Sequence, residues 1–199
     1  MGNDLFDKQR ANIQKVTQSI SVGDLENKTG KPFNDATDAT IGKWPTVFNI
    51  EKSHPIQKIE IHYRDTAIDG LFVTYRLLDA GKGKGGSSNA VRHGSKSGQS
   101  KDTIVFGESE VLLAVTGRAG TNSNDEIGIF EMTFVKVDTE TGEVTQKKYG
   151  GDDTAPVFYA TGPVIGFAGI QDNSDNVTQL GLKALSFLSS PTPIDQSGL

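Results

Sequence analysis

Three histidines, His54, His62 and His93, and no cysteine set the limits on reactive chemistry in this 199-residue chain. Without a thiol there is neither disulfide stabilisation nor thiolate catalysis. His62 alternates with Ile61 and Tyr63, which turns it outward from a strand, and His54 stands directly before Pro55. No neighbouring set of histidine, serine and carboxylate suggests a nucleophilic constellation, and no histidine cluster suggests a metal site. The carboxylates are scattered, so none form an evident acid–base pair for sugar hydrolysis. The chain reads as a non-enzyme.

Oxygen-bearing side chains concentrate in Asp172-Asn173-Ser174-Asp175-Asn176. Positions 172, 174 and 176 imitate the first half of a calcium loop. Yet Val177 replaces its turn glycine, and Lys183 stands where its final glutamate belongs. An EF-hand is excluded, which leaves a looser calcium site or a polar turn between strands. Residues 81–101 carry glycine, serine and the cations Lys82, Lys84, Arg92, Lys96 and Lys101, with no acid. The spacing of Gly81-Lys82-Gly83-Lys84-Gly85-Gly86 is not that of a phosphate-binding P-loop. No helix follows it to aim a dipole at a phosphate. The segment is expected to be a mobile connection between strands.

The elements that must hold these residues are strands. Ile59, Ile61 and Tyr63 alternate with Lys58, Glu60 and His62, and Leu71, Val73, Tyr75 and Leu77 repeat the pattern. Between them Asp69-Gly70 reads as the tight turn of an antiparallel pair. Further strands are predicted at 103–106, 110–115, 128–137, 144–149, 164–168 and 180–187. Leu5, Phe6, Ile13, Val16 and Ile20 recur at roughly helical spacing, predicting a short helix at about 4–17 and then an extended lead-in. Residues 1–29 are an N-terminal extension on this reading, packed against the domain, serving as a homo-oligomerisation arm or left from a junction to another module. Residues 189–199 form a polar tail.

Composition agrees with a single domain large enough to bury a core. Its 23 glycines suit many short strands joined by turns. A formal charge of −5 argues against nucleic acid, whose binding draws on basic surfaces. No apolar run is long enough to span a bilayer. The start of the chain lacks the basic flank and apolar stretch of a signal peptide, so a cytosolic location is permitted. Phe6 stands where a myristoylation signal needs Ser or Thr.

The segment from Lys58 to Tyr75 is similar in wording to the jacalin-related lectin family, whose members carry "K-I-x-I-x-Y-x-x-T-A-I-D-G-L-x-V-x-Y". Gly30-Lys31-Pro32-Phe33-Asn34-Asp35 resembles that family's "G-K-x-F-D-D", and Arg92–Gly98 its "H-G-G-x-G-G" loop. Val115–Gly120 resembles the "V-S-G-x-x-G" turn. Gly162–Gly169 is similar to "I-V-G-F-x-G", and Leu180-Gly181-Leu182 to the closing "I-G-V". The pieces run in family order over residues 30–188, the expected domain.

The resemblance implies an all-β fold: a β-prism of three four-stranded Greek-key sheets around one core. It implies a non-enzymatic sugar-binding protein that uses neither metal nor cofactor. In the family the pocket lies at one end of the prism, between the N-terminal glycine and a Gly-x-x-x-Asp loop before the last strand. A third loop borders it. A carboxylate there accepts two hydroxyl protons of a sugar at once, which makes strong, charge-assisted bonds. Carried over, the glycine is Gly30 and the bordering loop is 121–126, with Asn124. The family aspartate falls on Thr178 counting back from Gly181, and on Asn176 counting forward from Gly169, because this connection is about two residues longer. Asp172 and Asp175 are the nearby carboxylates. Galactose-preferring relatives use a free amino group at the glycine, whereas 29 residues precede Gly30 here, so mannose- or glucose-type glycans are the implied partners. The alternative is a β-prism without a sugar site, acting as a structural or protein-interaction domain, such as a module of a larger protein.

Overall fold

A computed structural model describes residues 17–35, 54–77, 86–87, 90–172 and 181–189. Among the described residues there are thirteen strands and no helix. β1 (Thr17–Gly23) and β2 (Lys31–Asn34) precede a hairpin of β3 (Ile56–Arg64) and β4 (Ala67–Leu77). Two short segments follow, β5 (Gly86–Ser87) and β6 (Val91–Gly94), and then β7 (Ser100–Val105). β8 (Glu110–Thr121), β9 (Ile127–Asp138), β10 (Val144–Gly150) and β11 (Val157–Thr161) form the next group. β12 (Val164–Gln171) and β13 (Leu182–Ser189) complete the set.

All pairings are antiparallel, and they make three sheets. β8, β9 and β10 pair in succession while β11 returns beside β8, the Greek-key order β10-β9-β8-β11. In the second sheet β7 returns beside β3, and β5 and β6 occupy successive stretches of the far edge of β4. Together they fill one strand position, so this sheet also is four strands wide. The third, β1-β13-β12-β2, joins strands from both ends of the sequence. The chain is a β-prism.

One core fills the space between the three inner faces. Ile59, Ile61, Leu71, Val73 and Tyr75 meet Val115, Ile129, Met132 and Phe134 from the second group, and Phe167, Leu185 and Phe187 from the third. One aromatic pair bridges each sheet-to-sheet seam. Phe158 of β11 lies 5.6 Å from Phe187 of β13, Tyr63 of β3 lies 5.2 Å from Tyr149 of β10, and Phe33 of β2 stacks on His93 of β6 at 3.9 Å. Such pairs add about 0.5–1.5 kcal/mol each beyond their burial, and their orientation fixes how the sheets meet.

Several local readings change. Asp69-Gly70 is not the hairpin turn, which falls at Asp65-Thr66. Asp69 is instead a bulge residue inside β4, because His62 pairs with Gly70 while Tyr63 pairs with Ile68. Its side chain is fully buried and held by Arg64, Nε to Oδ2 at 2.8 Å and Nη2 to Oδ1 at 2.9 Å. Likewise Val115–Gly120 is no turn but the middle of β8. The stretch 81–101, expected to be a loop, holds β5, β6 and the start of β7 within its described residues. His62 does not project into solvent: it is 6% exposed, covered by the Phe72 ring at 4.6 Å and bonded to Glu60 at 2.8 Å. Outward alternation is correct for its position, but the outer face is itself partly roofed by a large side chain.

Residues 17–23 are an extended edge strand hydrogen-bonded to β13, and residues 24–30 turn from it into β2. The folded unit therefore begins ahead of Gly30, and the boundary drawn there separates β1 from its own sheet. The helix expected at about 4–17 lies outside the described residues except for Thr17, which opens β1. Residues 190–199 of the polar tail also lie outside them.

Candidate functional site

β2 begins, β12 ends and β13 begins at one end of the prism, so the turn before Gly30 and the connection 172–181 leave the third sheet together. Lys31 pairs with Gln171, and Gln171 with Leu182. The Asp172 N–H donates to the Gly181 carbonyl at 2.7 Å, tying the base of that connection. Gly30 is pressed against it: a Cβ there would lie 2.4 Å from the Ile170 Cγ2. Asn27 organises the turn. Its Oδ1 accepts from the Thr29 N–H at 3.1 Å, the Thr29 hydroxyl at 3.1 Å and the Gly30 N–H at 2.7 Å, while its Nδ2 donates to Asp24. A short polar side chain folding over its own following backbone is ordinary turn chemistry. Here it has a consequence for ligands, because the Gly30 N–H is already used.

The second sheet reaches the same end through a close-packed corner. Gln171 Oε1 accepts from the Gly94 N–H at 2.9 Å, and the Ser95 N–H donates to the Asp69 carbonyl at 3.0 Å. A Cβ on Gly181 would lie 2.3 Å from the Ser95 nitrogen, and one on Gly94 2.3 Å from the Asp69 carbonyl. Only glycines allow this approach, and Gly94 also holds a φ of +83° that side chains disfavour.

From that corner the β3–β4 turn leads to the loop 122–126. Arg64, Thr66 and Ala67 on one side face Asn122, Asn124, Glu126, Phe130 and Asp152 across a cleft of about 240 Å³. Asn122, 6% exposed, is the keystone of this loop. Its Nδ2 donates to Glu126 at 3.0 Å and to Asp152 at 2.9 Å, and its Oδ1 accepts the N–H groups of Asn124 and Glu126, both at 2.9 Å. Bonds from the Thr154 hydroxyl and amide, and then from Asn122, hold the Asp152 carboxyl below the usual carboxylate value. Asp125 takes a φ of +60°, the left-handed conformation that Asp tolerates better than most residues. Asn124 is thereby displayed, exposed, on a braced loop.

Of the six site residues expected from the sequence, Gly30 and Asp172 come together, and Asn124 stands at the same end on a different sheet. Asp175, Asn176 and Thr178 lie outside the described residues. Sequence reading missed Asn27, Gln171, Arg64 and Asn122, which position the end. For Asn27 a signal existed, since Asn-x-Thr-Gly is turn chemistry. For Arg64 and Asn122 none did, because their partners are distant in sequence or invisible to periodicity. Among the described residues, no group of three or more His, Cys, Asp or Glu could hold a metal ion.

Solved structures share this architecture. AcmJRL, a mannose-binding jacalin-related lectin from Ananas comosus, is 18% identical, with a TM-score of 0.55 over 88% of this chain and 99% of that one. Artocarpin in its mannotriose complex is 21% identical, with a TM-score of 0.53 over 87% of this chain and 99% of that one. A lamprey immune protein matches 88% of this chain with 44% of its own, at 12% identity and a TM-score of 0.53. At such identities the likeness is one of fold. No curated protein sequence matches the chain. The family profile of the jacalin-like lectin domain, however, covers residues 28–183, from the turn beside Gly30 into β13. Since that match takes in all three sheets and most of the sequence, the chain belongs to the jacalin-like lectin domain family.

Proposed function

We propose that this protein is a non-enzymatic lectin that binds mannose- or glucose-type glycans without metal at the end of the prism carrying Gly30. The reading is carried by one observation: Gly30 and Asp172 flank the paired residues Lys31 and Gln171 at the end where the braced loop of Asn124 also emerges. Asp172, with Asp175, Asn176 and Thr178 from the same connection, supplies the oxygen acceptors for paired hydroxyls. Relatives of this fold include mannose-binding proteins, which favours that sugar class.

A few hydroxyl contacts give weak binding of single sugars. Calorimetry should find a dissociation constant of about 1 mM for methyl mannoside, roughly −4 kcal/mol. Clustered ligands should be retained about 10²–10⁴ times more tightly if several sites engage together. Nanomolar binding of a monosaccharide by one chain would contradict the reading. On immobilised mannan, Asp172→Ala, Asp175→Ala and Asn176→Ala should each reduce retention, with the thermal midpoint of the 175 and 176 variants nearly unchanged. Substitutions away from core contacts stay within about 0.5 kcal/mol. Retention equal to the parent in all three would place the site elsewhere.

A second reading is favoured by the Asn27 bond to the Gly30 N–H, which removes the backbone donor from the pocket. On that reading the prism has no sugar site and acts as a structural or protein-interaction domain. A glycan array that is blank for the intact chain would select it.

A further inference from the structure

The outer face of the second sheet gathers positive charge in a chain whose formal charge is −5. The strand register aligns Arg92, Phe72, Glu60 and Thr103 in one row across it, and His62 and Lys101 in the next. Lys58, two residues before Glu60, occupies the same face of β3. Lys96 reaches back over the row: its Nζ and the Arg92 guanidinium each stand 5.6 Å from the Phe72 ring centroid. Attraction to the ring face holds both cations at the surface. Arg92 is further fixed by its Nε–H bond to the Gly94 carbonyl at 2.9 Å.

Glu60 is the one carboxylate in these rows, and it is occupied. It accepts from His62 at 2.8 Å. That bond, followed by the charges of His62, Lys101 and Lys58, keeps its carboxyl below the usual glutamate value against the opposing effect of burial. The two lysines are thus near enough to act on it. Among the described residues of this face, the four cations Lys58, Arg92, Lys96 and Lys101 stand around one acid, Glu60, that His62 already engages. Three strand spacings separate β6 from β7, so the face is about 14 Å wide. It adjoins the end carrying Gly30, because Gly94, two residues after Arg92, bonds Gln171.

We propose that this face binds an acidic polysaccharide, one carrying sulfate or carboxylate groups, with Lys58, Arg92, Lys96 and Lys101 as its anion-binding groups. A sheet whose cations are spread over β3, β6, β7 and the β6–β7 connection suits a repeating charged polymer better than a single small anion. Long-range attraction then raises local ligand concentration, and it weakens as salt shortens the Debye length. The choice of a polysaccharide among polyanions rests on the carbohydrate-binding reading above.

Heparin serves as the probe, with neutral mannan, duplex DNA and phosphatidylserine vesicles alongside it, at low and high ionic strength. The parent should bind heparin at low salt and release it at high salt. Lys58→Glu combined with Lys101→Glu should weaken heparin binding by about tenfold or more while leaving mannan retention unchanged. Glu60→Gln should strengthen heparin binding by about twofold, a gain that misfolding could not produce. Heparin binding in the absence of mannan binding supports this inference and defeats the reading of the glycan end. Unchanged heparin affinity in the double lysine variant overturns the inference. So does binding of DNA or vesicles as tight as that of heparin, which would make the face a general polyanion surface.

Discussion

Asp35→Ala is expected to cost about 3–5 kcal/mol of unfolding free energy, read as a lower urea midpoint at constant slope. Asp35 is 2% exposed and lies between two sheets. The Tyr75 hydroxyl of β4 donates to its Oδ2, and the Phe167 N–H of β12 donates to the same atom at 3.3 Å. Its Oδ1 stands 2.8 Å from Nε2 of His93 in β6, also 2% exposed. That pair is close without the alignment of a hydrogen bond, and neither ring nitrogen of His93 has a hydrogen-bond partner. Proximity of carboxylate and imidazole thus carries the contact, and Phe33 stacks on the ring from β2. Removing Asp35 takes away the carboxylate acceptor of the Tyr75 hydroxyl and the negative charge beside the imidazole, in a core where losing a buried polar partner costs about 1–3 kcal/mol. His93→Ala should also destabilise, and the double variant should lose less than the sum, since both act on one cluster. A loss under about 1 kcal/mol for Asp35→Ala would show that the cluster is not a stabilising clasp.

The same cluster predicts an alkaline limit. Burial first, then the Asp35 charge, pushes the Tyr75 phenol well above its ordinary value. A folded-state value that is raised leaves stability intact below the unfolded phenol's pH of about 10 and removes it as pH climbs toward the folded value. Tyr75→Phe should flatten that decline while costing about 1–3 kcal/mol near neutrality, because Asp35 loses its hydroxyl donor.

Gly117→Ala is expected to be the most damaging single-methyl change among the residues of β8. The added Cβ would lie 1.9 Å from the Glu131 carbonyl oxygen and 2.7 Å from its carbon, both backbone atoms of the paired strand β9. Relief requires β8 and β9 to separate, and that pairing runs from Glu110–Asp138 to Thr121–Ile127. A loss of about 3 kcal/mol or more should follow, seen as a large drop in thermal midpoint or a failure to fold. Gly142→Ala is the control. Its φ of +75° disfavours a side chain, but nothing lies within 4 Å of the new methyl, so about 1–2 kcal/mol is expected. If the two variants melted alike, close approach at Gly117 would not be what requires glycine there.

Much of the fold was legible because burial of one sheet face forces a period of two. Ile59, Ile61, Leu71 and Val73 announce β3 and β4 without any tertiary information. The family motifs, in order, then specified three such sheets. Where the outer face is also apolar the pattern fades. β11 was missed because Val157 and Tyr159, 48% and 71% exposed, alternate with buried Phe158 and Ala160, leaving a nearly continuous apolar run. β6 was hidden in a segment whose glycine, serine and lysine suggest a loop, though Val91 and His93 are buried.

The sequence by itself determined the all-β class, most of the longer strands and the family, since these follow from alternation and from short motifs. Only the tertiary structure decided what each ambiguous residue does. Gly117 reads equally well as a turn or as a close strand contact, and the position of Glu131 chooses the second. Asp69 beside Gly70 reads as a turn until Arg64 reaches back to bury its carboxylate. Asp35 and His93 are 58 positions apart and meet only because two sheets close on one another. Gly30 lies at one end of the prism beside Asp172, yet its N–H is taken by Asn27. Periodicity reports which side of a strand a residue occupies; what covers that side depends on chain segments packed there from elsewhere.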